Sequence, residues 1–215
     1  MIAIIDYGLG NLGSVENMLR KISAKALITS NPAEIAAARA LILPGVGHFD
    51  LGMKNLRERG LRTVLDERVR GARVPVLGIC LGMQLLGRGS EEGSEPGLGW
   101  IAGDVKRFAF PAGDRRVVPH MGWSEVETRD EVLFRDATTG ASAARQRFYF
   151  VHSYHMVCDE PSDVAAWCDY GYRFAAAVRR DNVMGTQFHP EKSHRFGMAL
   201  LRNYVAAVTA VDAAA

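Results

Sequence analysis

The cysteine at position 80 stands in a pattern typical of a catalytic nucleophile. An apolar run reaches it through Gly78 and Ile79, and a helical pattern begins directly after it with Leu81 and Gly82. Glycines on both sides permit the sharp strand-to-helix turn that exposes a nucleophile. The helix N-terminus favours the thiolate, and the Leu81 backbone N–H is placed to stabilise an oxyanion. We therefore predict that Cys80 attacks a substrate, the alternative being the inert burial that is usual for free cysteine.

A histidine and a carboxylate follow near the other end of the chain, in the segment Phe188-His189-Pro190-Glu191. In an extended chain the side chains of His189 and Glu191 lie on the same side, because residues two apart share a face. A carboxylate can hold one imidazole tautomer while the other ring nitrogen faces a thiol. The residue types therefore predict a catalytic triad of Cys80, His189 and Glu191. Without Cys80, a surface turn would be the better interpretation of this segment.

Two glycine-rich segments follow predicted strands. The first is Pro44-Gly45-Val46-Gly47, whose backbone N–H groups at Val46 and Gly47 are candidates to complete an oxyanion hole. An ordinary turn is the alternative. Residues 8–13 read GxGxxG, which can bind a dinucleotide, but that site also needs an acidic residue at the end of the second strand. Residues 27–31 contain none. This segment therefore predicts a tight turn, and we expect no cofactor.

The histidines and cysteines do not predict a metal site. The His-x-Glu segment lacks the PCxxC partner of zinc deaminases, HExxH is absent, and His152 and His155 would face opposite sides of a strand. The remaining cysteines, Cys158 and Cys168, have no CxxC spacing and are predicted to pack in the interior. This cysteine usage, with an N-terminus that lacks a basic signal-peptide region, indicates a reducing, cytoplasmic compartment.

The composition excludes several classes of protein. The 215 residues carry 26 basic and 24 acidic side chains, and the resulting net charge of +2 does not indicate nucleic-acid binding. The longest apolar stretch, residues 74–87, is shorter than the roughly 20 residues of a membrane span. With 48% hydrophobic residues the chain can form a packed core, and we expect one domain over residues 1–215.

Strand and helix patterns alternate through about residue 88. Strands are predicted at 1–6, 27–29, 40–43 and 74–79, and helices at 12–22, at 56–70 and from 81 onward. This alternation predicts an α/β fold with a doubly wound, mostly parallel sheet flanked by helices. Short runs within 100–178 predict additional antiparallel strands, followed by a last strand at 182–188 and a closing helix at 196–211. Residues 91–99 predict a loop, and residues 137–146 predict a surface excursion.

Together these motifs resemble those of the class I, or triad, glutamine amidotransferases. Gly78-x-Cys80-x-Gly82-x-Gln84 matches the nucleophile motif of that family, and Phe188-His189-Pro190-Glu191 matches its His/Glu motif, more than a hundred residues later. Within the family the chain is most similar to the glutaminase subunits of imidazole glycerol phosphate synthase. The segments that carry this narrower similarity span nearly the whole chain: 4–11, 44–47, 119–123, 149–154 and 185–193.

The resemblance implies the fold of that family and the hydrolysis of L-glutamine to glutamate and ammonia. It also implies that Gln84, Tyr149 and Ser153 hold glutamine. The ammonia would pass to a cyclase subunit with a (β/α)8 barrel, in a heterodimer that makes imidazole glycerol phosphate and AICAR in histidine biosynthesis. We expect weak activity without this partner, because the family's oxyanion loop awaits a conformational change.

Four residues are candidates for the face that docks the cyclase: Asn11, Met121, Trp123 and Lys192. An exposed methionine and tryptophan suit a protein interface, and packing in the interior is the alternative for both.

Three other functions compete with this one. A glutaminase subunit of another synthase, for anthranilate or pyridoxal phosphate, is disfavoured by the segments 6–11 and 119–123. A non-catalytic interaction module of the same fold is disfavoured by the complete set of Cys80, His189 and Glu191. A dinucleotide-dependent oxidoreductase is disfavoured by the missing acidic residue at the strand end.

Overall fold

The computed structural model describes residues 1–135 and 145–214. The strands in these residues are β1 (Ile2–Ile5), β2 (Ala26–Thr29), β3 (Ala40–Gly45), β4 (Val76–Cys80), β5 (Gly103–Arg107), β6 (His120–Thr128), β7 (Arg145–His152), β8 (Tyr154–Cys158), β9 (Val164–Asp169), β10 (Arg173–Arg180) and β11 (Val183–Thr186). The α-helices are α1 (Leu12–Lys21), α2 (Pro32–Ala37), α3 (Phe49–Glu58), α4 (Leu61–Asp66), α5 (Leu81–Leu85) and α6 (His194–Ala214).

The parallel half of the main sheet has the strand order β2-β1-β3-β4-β11. Gly45 at the end of β3 pairs with Cys80 at the end of β4, and Thr186 at the end of β11 pairs with Ile79. Because parallel strands end at the same edge, the segments that follow these three strands meet there. This edge therefore brings together the 44–47 segment, Cys80 and the segment that contains His189.

The antiparallel half continues the same sheet in the order β11-β10-β9-β6-β7, and β5 pairs with β8 in a separate two-stranded sheet. The architecture confirms the predicted α/β class, with a doubly wound, mostly parallel core and added antiparallel strands.

Strand β1 shows why the parallel strands read as continuous apolar runs. Ala3 and Ile5 pack into a core cluster on the face covered by α3, while Ile2 and Ile4 pack on the opposite face with residues of α1 and α6. Since both faces of the strand are buried, polar residues do not alternate with apolar ones.

The turn between β1 and α1 contains the GxGxxG segment. Gly8 and Gly10 have positive φ angles of 87° and 109°, which favour glycine. A Cβ on Gly10 would lie 3.1 Å from the Pro44 carbonyl oxygen. The turn therefore packs against the start of the 44–47 segment. Glu34, which lies beyond the end of β2, accepts a hydrogen bond from the Thr29 hydroxyl.

One helix prediction needs correction, and one helix was not predicted. The helix predicted at 56–70 is confirmed from Leu61, where α4 continues as a π-helical turn to Gly71, but its start is wrong. Helix α3 already begins at Phe49, and Gly60 breaks the helix with a φ of +66° before α4 starts. The His48 side chain caps α3 by accepting from the Asp50 N–H. The sequence patterns did not indicate helix α2, although Asn31 caps it through the Ala33 N–H.

The surface excursion predicted at 137–146 lies mostly outside the described residues, which exclude 136–144. At its end the prediction is wrong, because Gln146 is buried in β7 and donates a hydrogen bond to the Phe134 carbonyl. None of the helices in the described residues combines the length and apolar character needed to cross a lipid bilayer.

Candidate active site

Cys80 lies at a strained turn between β4 and α5. Its φ of +55° and ψ of −108° are unusual for a residue with a side chain, as expected at a nucleophile elbow. The flanking glycines permit this turn: a Cβ on Gly82 would lie 1.7 Å from the Leu43 carbonyl oxygen, and one on Gly78 would lie 2.7 Å from the Gly82 backbone. Cys80 is therefore held, largely buried, at the N-terminus of a helix.

His189 and Glu191 form a buried pair. The His189 Nδ1 donates to the Glu191 Oε1 at 2.7 Å, and both side chains are only 2% exposed. The expectation that an extended chain aligns them is wrong, because Pro190–Lys192 form a 3-10 turn that brings the carboxylate back to the ring. Ser193 fixes this turn, since its hydroxyl donates to the His189 carbonyl at 2.6 Å.

The surroundings of His189 favour its protonated form. Burial lowers the pKa of this imidazole, but the interactions with Cys80 and Glu191 raise it more, and the net pKa is about 9. The His189 Nε2 is buried and makes no hydrogen bond to any described residue. The nitrogen opposite Glu191 is thus available to a reacting group near the Cys80 sulfur.

A cavity of about 310 Å³ opens beside Cys80. Its lining includes Leu81 and Gln84 of α5, and the exposed Val46 and Gly47 of the glycine-rich segment. The rest of the wall is formed by Glu92, Val151, His152, Ser153 and Tyr154. The structure therefore brings together the predicted nucleophile, the predicted oxyanion donors, and two of the three residues that the resemblance implied for glutamine.

Tyr149 is the third of those residues, and it is not part of the cavity lining. Its carbonyl accepts a hydrogen bond from the His189 N–H at 2.9 Å, and its N–H donates to the Ser193 hydroxyl at 3.0 Å. Tyr149 therefore contacts the segment that carries His189 through its backbone.

The segment 44–47 is shaped by a close contact behind it. A Cβ on Gly45 would lie 2.2 Å from the hydroxyl oxygen of Tyr7, so only glycine fits there. Gly47 has a φ of +122°, which also favours glycine. The two glycines let the backbone at Val46 and Gly47 approach the cavity closely.

Sequence reasoning missed two residues of the site. Gln187 is fully buried, and its Nε2 donates to the Cys80 sulfur at 3.7 Å while its Oε1 accepts from the Gln84 Nε2 at 3.1 Å. The sequence did carry a signal for Gln187, because it is a polar residue at the end of a predicted apolar strand. Glu92 lines the cavity and accepts from the Phe49 N–H at 2.8 Å. Nothing in its loop distinguishes it from neighbouring acidic residues.

The four residues predicted to dock a partner are all exposed. Met121 is 66% and Trp123 40% exposed, and Asn11 and Lys192 also lie at the surface. The Lys192 ammonium lies 5.7 Å from the centre of the Tyr149 ring, which in turn packs edge-on against Trp123. Helix α1, which follows Asn11, contacts the Pro190–Lys192 turn.

The other histidines and cysteines were predicted not to form a metal site. Within the described residues, no group of three or more His, Cys, Asp or Glu side chains could hold a metal ion. His152 and His155 do not face opposite ways as expected, because β7 ends at His152, and both rings pack against Phe108. Burial raises the pKa of the Cys158 and Cys168 thiols to about 12.

Comparison with known proteins places this chain in a family. The family model described as glutamine amidotransferase class-I matches residues 3–208. The chain belongs to this family.

Similar class-I relatives share a more specific name. An imidazole glycerol phosphate synthase subunit HisH 2 from Pseudomonas aeruginosa is 53% identical over 205 residues, covering 95% of this chain and 98% of that protein. Subunit HisH from Leptospira interrogans is 48% identical over 206 residues, with the same coverage of both chains.

Solved structures of low sequence identity share the fold. A crystal structure of a glutamine amidotransferase aligns with a TM-score of 0.74 at 20% identity, covering 97% of this chain and 98% of the other. A glutamine amidotransferase from Thermotoga maritima aligns with a TM-score of 0.60 at 18% identity, covering 98% of this chain and 84% of the other.

Proposed function

We propose that this amidotransferase is the glutaminase subunit of an imidazole glycerol phosphate synthase and acts in histidine biosynthesis. The named relatives of about half identity support the choice of synthase. The observation that carries the chemistry is the arrangement of Cys80, at a strained elbow next to a cavity, in interaction with His189 of the buried His189–Glu191 pair. This arrangement suits covalent hydrolysis of a small amide.

The first half of the reaction forms a thioester. His189 already holds the proton of the pair, and the Cys80 sulfur attacks the side-chain amide carbon of L-glutamine. Backbone N–H groups of Leu81 and of the Val46–Gly47 segment stabilise the oxyanion, and removing one such donor typically costs roughly 2.7–4 kcal/mol. A ring with a raised pKa keeps the proton until the amide nitrogen leaves, and then donates it so that ammonia departs.

The second half hydrolyses the thioester. His189, now neutral, takes a proton from a water molecule, and the hydroxyl oxygen attacks the acyl carbon. The carbon–sulfur bond breaks, and glutamate leaves Cys80 ready for another cycle. Glu191 holds the ring with Nδ1–H toward itself throughout, which keeps Nε2 toward the reacting atoms.

The cavity offers hydrogen-bond acceptors for the α-ammonium group of the substrate L-glutamine. Both amide hydrogens of Gln84 are committed, to the Tyr154 carbonyl at 3.0 Å and the Gln187 Oε1 at 3.1 Å. Its Oε1 is therefore the atom that meets the substrate, with the Glu92 carboxylate as a second acceptor and Ser153 as a hydroxyl contact. Tyr149 contributes by positioning His189 through its carbonyl.

The partner we propose is a cyclase subunit with a (β/α)8 barrel, bound in a heterodimer to a single amidotransferase domain of residues 1–215. Ammonia is mostly protonated in neutral water, and ammonium is no nucleophile, so a dedicated glutaminase needs a direct path to the acceptor site. The exposed Met121 and Trp123, with Asn11 and Lys192, are the proposed docking face.

A coupled assay with that cyclase tests this function, comparing glutamine with ammonium salts as the nitrogen source. The wild-type complex should use both, whereas Cys80→Ala should lose the glutamine-dependent product and keep the ammonium-dependent one. Release of glutamate by Cys80→Ala would overturn the mechanism. Stimulation by an anthranilate or pyridoxal phosphate synthase subunit, and not by the cyclase, would overturn the choice of partner.

A further inference from the structure

We propose that His120 is a positioning residue for glutamine hydrolysis, at the outer end of a hydrogen-bonded chain that runs through His152 to the Cys80 sulfur. The proposal rests on the proposed function, since glutamine is the molecule that this chain would position. His120 itself lies outside the cavity, on β6.

The inner links of the chain surround the cavity. The Tyr154 carbonyl accepts two hydrogen bonds, from the His152 Nδ1 at 2.7 Å and from the Gln84 Nε2 at 3.0 Å. The second amide hydrogen of Gln84 goes to Gln187, whose own amide donates to the Cys80 sulfur at 3.7 Å. One carbonyl thus couples the position of a histidine to a glutamine that faces the substrate.

The outer hydrogen bonds extend this series from β7 to the neighbouring strand β6. The His120 Nδ1 lies 3.1 Å from the His152 Nε2, and the His120 Nε2 lies 2.8 Å from the Ser124 hydroxyl. Ser124 lies on β6 next to Trp123, one of the proposed docking residues. The chain therefore reaches from the proposed docking strand to the nucleophile.

The chemistry of the partners fixes the direction of the outer bonds. A carbonyl oxygen can only accept, so the His152 Nδ1 carries a proton and, in the neutral ring, its Nε2 accepts. The His120 Nδ1 must then donate, which leaves its Nε2 to accept from the Ser124 hydroxyl. In their neutral forms both rings therefore hold their proton on Nδ1.

Packing prevents the His120 ring from turning to another arrangement. The His120 ring stacks between Phe150 and Tyr170, with ring centres 4.8 and 4.1 Å away. Burial also lowers the pKa of His120 to about 4 and that of His152 to about 3, so the rings stay neutral near pH 7. A rigid, uncharged pair of this kind holds the Tyr154 carbonyl in one position.

Three variants, each assayed in the complex with the cyclase, test the positioning role. His120→Leu removes the donor to His152, whereas His120→Asn keeps an N–H at the place of Nδ1. His155→Leu is the matched control, because this buried ring also packs on Phe108 but bonds to the Tyr172 hydroxyl and the Met156 carbonyl instead.

We expect His120→Leu to raise the KM for glutamine roughly two- to tenfold, the effect of one hydrogen bond. His120→Asn should restore KM to about the wild-type value, and His155→Leu should leave it unchanged. Ammonium-dependent synthesis should be equal in all variants. An unchanged KM in His120→Leu, or an equal rise in His155→Leu, would overturn the proposal.

Nitrogen-15 NMR of the imidazole rings gives a second test on the wild-type chain, which needs neither activity nor a variant that folds. At pH 7 both rings should be neutral with the proton on Nδ1, and a proton on Nε2 of either ring would overturn the chain as described. The proposed function and the proposed role of His120 can fail separately. If the wild-type complex does not hydrolyse glutamine, the proposed function is refuted. If either ring carries its proton on Nε2, the hydrogen-bonded series from His120 to Cys80 is refuted.

Discussion

Two regions of this molecule bury histidines and give them opposite properties. At the edge of the parallel half, His189 is 1% exposed and its pKa is raised to about 9. In the antiparallel half, His120 and His152 are 2% and 6% exposed, and their pKa values are lowered to about 4 and 3. Burial is nearly equal, so the partner groups make the difference.

The partners explain both outcomes. His189 has a carboxylate on one side and a thiol near the other, and both favour the imidazolium form. His120 and His152 bond to each other, to a carbonyl and to a hydroxyl, none of which carries a negative charge. The Cys80 sulfur and one buried carboxylate therefore make His189 suited to proton transfer, whereas His120 and His152, which lack such partners, are suited to holding a backbone in place.

Replacing that carboxylate should produce the largest effect. The negative charge of Glu191 orients His189 and raises the pKa of its ring, and Glu191→Gln removes that charge. We therefore expect kcat for glutamate release to fall about 10²- to 10⁴-fold. The NMR tautomers of His120 and His152 should stay unchanged, because Glu191 is not part of their chain. A kcat within tenfold of wild type would contradict this account of His189.

The second prediction concerns the contact that joins the two regions. Phe148 of β7 stacks on Phe188, which precedes His189, with ring centres 3.9 Å apart and both rings fully buried. Phe148→Ala should lower the free energy of unfolding by about 3–5 kcal/mol in chemical denaturation. Phe110→Ala, at a half-buried ring, is the control and should cost clearly less. Equal losses would show that the stack has no special role.

The third prediction is that the histidines of the two regions change the stability of the fold in opposite directions as pH changes. Folded His120 and His152 stay neutral where unfolded histidine, with a pKa of 6.5, takes up a proton. Stability should therefore fall as pH decreases from 6.5 toward 4, by about 1.4 kcal/mol per pH unit for each histidine. Folded His189 keeps its proton above pH 6.5, so its stabilisation is complete below 6.5 and is lost as pH rises through 9.

Two variants separate these contributions in denaturation experiments across pH. His120→Asn should flatten the slope below pH 6.5, and Glu191→Gln should flatten the slope between 6.5 and 9. If either variant instead flattens the slope of stability against pH in the range assigned to the other, the pKa shifts given to the two regions are wrong.

The smallest effect should come from a buried hydroxyl that makes no hydrogen bond. Tyr7 and Tyr204 are both fully buried, but of the two only Tyr204 donates, sharing its one hydroxyl proton between the Leu41 and Pro75 carbonyls at 2.7 and 3.1 Å. The Tyr7 hydroxyl has no partner among the described residues. Tyr204→Phe should lower the free energy of unfolding by about 1–3 kcal/mol, and Tyr7→Phe by less than about 0.5 kcal/mol. A larger loss in Tyr7→Phe would reveal a hydrogen bond that this account omits.

The sequence predicted the parallel half better than the antiparallel half, for a physical reason. Local patterns specify a buried strand, a glycine-flanked Cys80 and a His189 at a strand end, and the rule that parallel strands end at one edge brings them together. Gly60 shows a limit within that half, since a left-handed glycine ended a helix whose apolar spacing continued.

The antiparallel half depends on contacts that no local pattern encodes. His120 and His152 are 32 residues apart and meet only because β6 pairs with β7 in a register that places them opposite each other. Glu92 reaches the cavity through a loop whose composition is that of any surface loop. Strand pairing and loop packing of this kind are set by the whole fold, so sequence reasoning could not find either feature.

Covalent labelling tests the central claim most directly. The full chain is treated with a glutamine-like diazoketone, and the modified residue is identified by peptide mass spectrometry in the presence and absence of glutamine. We predict one adduct, on Cys80, that glutamine prevents and that His189→Asn slows by at least about 100-fold. Labelling of Cys158 or Cys168 instead, or labelling that glutamine does not prevent, would contradict the account.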